Sequence, residues 1–199
     1  MAANLVRWSG PAAMAAGALL IVTFLLSEFV ADGFFYLITL VFLLLLVALP
    51  GLQAQQAGRS GLLGRIGFSM ALIGAAILVV LFAVVGVSET FFGFDPDESA
   101  VPLLFLAGGF FTLLVGIILF GIATARAGVF PRGAALLLTL GLPLALAIDI
   151  LTGAFSSEEE QTAWGIYIGF TIFSAGLIWL GHALWSERGA SAGQPSRVR

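Results

Sequence analysis

Six long apolar stretches run along this chain, at about 10–30, 33–50, 62–87, 101–123, 134–155 and 162–185, parted by short polar or glycine-rich breaks. Leu, Ala and Gly dominate them, and none shows the strict alternation of a barrel strand. A helix rising about 1.5 Å per residue needs about 20 apolar residues to cross about 30 Å of hydrocarbon, and each stretch is near or above that length. Backbone groups in hydrocarbon must pair within the segment, so the stretches are helices. The pattern predicts an all-α polytopic membrane protein with six transmembrane helices. Residues 1–187 form one six-helix domain, and 188–199 form a polar cytoplasmic tail expected to be disordered.

Composition agrees with that class. The chain has 199 residues, 60% hydrophobic and 10% charged, where a soluble domain carries about 25% charged residues. The length suits one bundle with no separate soluble domain. Cysteine is absent, which removes disulfides, thiolate metal sites and cysteine nucleophiles. Lysine is absent too, and with abundant Ala, Gly and Leu this fits a GC-rich bacterial genome.

Charge supplies the direction. Arg7 precedes span one, Arg59 and Arg65 lie between spans two and three, Arg126 and Arg132 between four and five, and Arg188, Arg197 and Arg199 follow six. These are alternate connections and share one side. The others hold Asp32, then Glu89, Asp95, Asp97 and Glu98, then Glu158, Glu159 and Glu160. Short arginine-rich loops stay cytoplasmic, so both termini are read as cytoplasmic, in the cell's inner membrane. A cleaved signal peptide is disfavoured, because Phe29-Val30-Ala31 puts a ring at the −3 position where a small residue is wanted. Ser157 with Glu160 has capping-box spacing at the start of span six. Phe91, Phe92, Phe94, Phe155, Trp164 and Tyr167 gather at the outer boundary like an interfacial aromatic belt.

The even spans share an ending. Gly51-Leu-Gln-Ala-Gln-Gln-Ala-Gly58 and Gly121-Ile-Ala-Thr-Ala-Arg-Ala-Gly128 run in step, and Gly181-His-Ala-Leu-Trp-Ser-Glu-Arg-Gly189 is one residue longer. This suggests three helical hairpins in parallel orientation, against chance likeness among Ala/Gly-rich helices. The segment Arg126-Ala-Gly-Val-Phe-Pro-Arg-Gly133 resembles a loop of small six-span bacterial integral membrane proteins. That resemblance covers the loop and the hairpin layout and brings no chemistry with it.

Few residues are left to carry function. Asp149 lies inside span five, about 7–8 Å from its midpoint toward the outer side, where an ionisable group must face protein or water. Gly141, Ala145, Thr152 and Gly153 share its helix face, and Pro143 nearby predicts a kink. Asp149 is either a proton, cation or polar-ligand site, or an acid near the interface that is bonded to a neighbouring Ser or Thr or is simply protonated. Glu28 and Asp32, flanking the first outer turn, would complete an acidic pocket with it. His182, between Trp179 and Trp185, is a conceivable axial ligand for a heme or pigment, but its spacing suits an interfacial anchor better. Gly165 and Gly169 have small-xxx-small spacing, and Gly109 and Gly116 line a similar face of span four. These are read as packing positions.

Catalytic motifs such as a P-loop, HExxH or GxSxG are missing. The expectation is a non-enzyme with no cofactor and no metal, whose surroundings are the bilayer and another membrane protein or further copies of itself. Arginines at the membrane edge suit headgroups and topology rather than nucleic acid. Three functions stand open: an accessory or scaffold subunit, a small transporter or channel using Asp149, and a sensor or binder of a lipid, quinone or pigment.

Overall fold

The computed structural model describes residues 2–26, 34–92, 100–152 and 164–192. Among these, six helices are present and no strand: α1 (Ala2–Leu26), α2 (Phe34–Gln56), α3 (Gly61–Phe92), α4 (Ala100–Ala127), α5 (Arg132–Thr152) and α6 (Trp164–Ala192). Each is long and apolar enough to cross a membrane. Consecutive helices pack side by side, and α6 returns to α1, so the six close into a ring; α2 also touches α6 across its middle. Large side chains, among them Leu45, Leu49, Ile117, Phe120, Leu138 and Leu180, fill one continuous core.

Glycines set how closely the helices approach. On α3, a Cβ at Gly67 would meet Leu119 and Phe120 of α4, and one at Gly74 would meet the Leu113 Cα at 2.7 Å; on α4, Gly116 faces Ala71 in the same way. Rising positions on α3 thus meet falling positions on α4, which is antiparallel packing. The same register joins α5 to α6 and α1 to α6, where Gly10 lies against Gly181 and Gly17 against Ser174. Between helices in lipid, such close van der Waals contact replaces the hydrophobic drive.

The helices outrun the apolar stretches at several ends. α2 continues through polar Gln53, Gln55 and Gln56, and α4 continues to Ala127. α6 runs to Ala192, so residues 188–192, read as the start of the tail, belong to the helix. Hydropathy falls where the chain leaves hydrocarbon, but backbone hydrogen bonding continues until a residue breaks it. Gly128, with φ 63°, is such a residue: it follows the last turn of α4 in the left-handed conformation typical of a helix C′ glycine. α5 passes through Pro143 as one continuous helix.

The repeated endings agree only in part. Gly51 lies against Ser9 of α1, Gly121 against Thr139 of α5, and Gly181 against Met14 of α1, so the first glycine of each ending meets an odd-numbered helix. The second glycines differ. Gly128 is left-handed, Gly58 is not, its turn using Gly61 at φ 60° instead, and Gly189 lies within α6.

The two described connections, 57–60 and 128–131, lie at one end of the bundle because α3 and α4 are antiparallel. Arg59, Arg65, Arg126 and Arg132 are all exposed there. The four tryptophans, Trp8, Trp164, Trp179 and Trp185, are all exposed, with Trp164 at the start of α6 and Trp179 in its interior. Trp164 and Trp185 are about 31 Å apart along α6 at 1.5 Å per residue, which matches the thickness of a bilayer core.

Candidate functional site at the α5–α6 seam

Asp149 sits in the last turn of α5 and is only 1% exposed. Its Oδ1 accepts a hydrogen bond of 2.8 Å from the backbone N–H of Gly165 on α6. One expectation for this acid is a bond to a neighbouring Ser or Thr; the partner of Oδ1 is a backbone amide near the start of the next helix. The nearby Thr152 hydroxyl turns back to its own helix, donating to the Ile148 carbonyl at 2.9 Å. Helix N-termini carry free N–H groups and the positive end of the dipole, so a carboxylate there is stabilised. Asp149 Oδ2 has no hydrogen-bond partner among the described residues.

The glycine spacing on α6 and the small seam on α5 prove to be two halves of one contact. A Cβ at Gly165 would lie 2.5 Å from Asp149 Oδ1, and one at Gly169 would lie 2.6 Å from the Gly141 carbonyl oxygen and run into Ala145. Gly141 in turn faces Phe173. Gly141, Ala145 and Asp149 therefore stack against Phe173, Gly169 and Gly165, and the missing side chains on α6 let the carboxylate reach its backbone. Around this seam, Phe24 of α1 packs on Phe170 with ring centroids 4.8 Å apart and edge-on to Tyr167 at 6.0 Å. Of the residues read as an interfacial belt, Tyr167 is part of this packed aromatic cluster.

Other candidates are not brought here. Glu28, Asp32 and Gly153 lie outside the described residues. His182 is exposed on α6 between exposed Trp179 and Trp185, about 26 Å along the helix from Gly165. The shared face of those three residues is real, and it points away from the bundle. Gly109 and Gly116 belong to the α3–α4 seam, Gly109 meeting Ile77 and Leu78. Thr112, between them, is half-buried and donates to the Gly108 carbonyl at 2.7 Å. Among the described residues no group of three or more His, Cys, Asp or Glu side chains is placed to hold a metal ion.

Two features were not anticipated. Between the halves of α3 and α4 away from the arginine-bearing end lies a groove of about 660 Å³, lined by Ile77, Val80, Val84, Val101, Pro102 and Phe105 among others. Beyond Gly108 toward the α4 start, residues 103–108 are exposed on every side of the helix. Periodicity could not reveal this, because α4 is apolar all round. The second feature is a set of buried polar residues at the arginine-bearing end: Gln56, Ser60 and Ser9. Their signal was available, since Gln53, Gln56 and Ser60 recur at helical spacing.

No family model matches the chain, and neither a curated protein nor a solved structure matches it.

Proposed function

We propose that this protein is an accessory subunit of the cell membrane, with both termini cytoplasmic, that packs against another membrane protein through the outer half of the α3–α4 hairpin. The observation that carries this reading is the all-round exposure of residues 103–108 in an otherwise packed helix. A helix apolar on every side sits in protein or in lipid, and none of this chain's described helices covers residues 103–108. Leu104 and Phe105 offer large side chains at its surface, and Gly108 leaves an open notch where a partner helix fits closely.

The test is purification in a gentle detergent with intact-mass analysis, using a photo-crosslinking residue at Leu104 or, for comparison, at Leu140, an exposed position on α5. A single discrete adduct from Leu104 and none from Leu140 is expected. Recovery of the bare chain alone, with no adduct from Leu104, would remove the reading.

A second reading, a binder of a lipid, quinone or pigment, is favoured by the groove beside Phe105, whose walls are almost wholly apolar. The same mass analysis would then find a co-purifying small molecule that is lost on filling the groove with Ala76→Phe. Transport through Asp149 draws less support, because the carboxylate is engaged with α6. Loss of proton- or cation-coupled flux in proteoliposomes on Asp149→Asn would restore it.

A further inference from the structure

The arginine-bearing end of α2 holds polar side chains that the docking reading does not use. Gln53, Gln56 and Ser60 follow i, i+3, i+7 spacing, which places them on one helix face. α2 ends at Gln56, but the Ser60 N–H donates to the Gln56 carbonyl at 2.9 Å, so Ser60 stays one turn beyond Gln56 as if the helix continued. Gln56 is 0% exposed, Ser60 is buried and Gln53 is half-buried. A Cβ at Gly64 of α3 would lie 2.7 Å from Ser60 Oγ and 3.3 Å from the Cβ of Ala123 on α4, so the Ser60 hydroxyl sits where α3 meets α4.

Four atoms of this face are buried without a hydrogen-bond partner among the described residues: Gln53 Oε1, Gln56 Oε1, Gln56 Nε2 and Ser60 Oγ. Native proteins pair buried polar groups with protein or with ordered water. The chemistry of the set chooses between ligands. Two carbonyl oxygens accept, one amide nitrogen donates two N–H bonds, and a hydroxyl does either. A cation would meet the amide N–H, an anion would meet the carbonyl oxygens, and an apolar group would satisfy none. Water both donates and accepts, and buried waters make about three such bonds to otherwise unpaired groups. Exchanging the nitrogen and oxygen of Gln56 leaves the set unchanged, since both atoms are unpaired.

We propose that Gln53, Gln56 and Ser60 bind ordered water at the arginine-bearing end of the bundle, entering past the half-buried Gln53. The water joins the last turn of α2 to the turn that leads into α3 through hydrogen bonds.

Water-edited solid-state NMR of the full chain in proteoliposomes tests this. Exposed Gln55 serves as the wet reference and the backbone N–H of fully buried Leu49 as the dry one. Water magnetisation should reach the Gln56 side-chain amide far sooner than Leu49, and Gln53→Met and Ser60→Ala should each weaken that transfer while leaving Leu49 unchanged. A Gln56 amide that fills as slowly as Leu49 in the unaltered protein would overturn the proposal, and so would transfer indifferent to both substitutions.

Discussion

Asp149 Oδ1 accepts the backbone N–H of Gly165 at 2.8 Å, so the buried acid in the last turn of α5 acts on α6 through the main chain. The bond ties the end of α5 to the start of α6, and it accounts for a buried carboxyl group, which is costly unless paired. It needs an acceptor oxygen and does not need a negative charge.

That distinction is measurable. Asp149→Asn keeps an Oδ1 acceptor, whereas Asp149→Leu keeps only volume. The leucine variant is expected to lose about 1–3 kcal/mol, the range for leaving a buried donor unpaired, and the asparagine variant less than about 1 kcal/mol. Thermal unfolding in detergent ranks the two. Equal losses would show that the charge itself matters and would favour an ion or proton site.

Two glycines of α4 should respond in opposite ways to alanine. At Gly116 the new Cβ would lie 2.7 Å from the Ala71 Cα, a backbone atom that cannot swing aside, so overpacking of about 1–3 kcal/mol is expected. At Gly108 nothing lies within 4 Å, and Gly108→Ala should gain about 0.5–1 kcal/mol by restricting the unfolded chain. Melting temperatures of the two variants check the sign. If Gly108→Ala instead destabilises a native complex while stabilising the isolated chain, the exposed notch is occupied by a partner.

Gly128 offers a purely conformational test. Its φ is 63° and no atom would obstruct a Cβ. Gly128→Ala should therefore cost about 1–2 kcal/mol through the left-handed backbone alone, and Gly128→Asn should recover part of the loss because Asn tolerates that conformation. Chemical denaturation in detergent would show the order Gly, Asn, Ala. An alanine variant as stable as the parent would mean that the α4–α5 turn adopts another form.

Tyr36 joins the start of α2 to the far end of α3, its hydroxyl donating to the Gly86 carbonyl at 3.2 Å. Tyr36→Phe retains the ring and removes the bond, and about 1 kcal/mol of stability should go with it. Hydrogen exchange should rise first at the start of α2 and the end of α3 rather than at the arginine-bearing turn.

Much of the architecture could be read without coordinates. Six spans, their helical nature and the arginines at one end follow from what each segment needs to sit in lipid, and segment hydropathy depends on one piece of chain at a time. Helix ends were legible only roughly: Gln53 and Gln56 look like loop residues by hydropathy, yet α2 carries them and encloses Gln56. The sequence also marked Asp149, Gly165 and Gly169 as unusual, but as separate clues. Only the placement of α5 against α6 made them one contact, because the partner of a carboxylate depends on which backbone lies within about 3 Å. The uncovered stretch at 103–108 and the groove beside Phe105 likewise belong to the tertiary structure. An apolar residue facing lipid and one facing a neighbour have the same sequence signature, and the packing of the ring alone separates them.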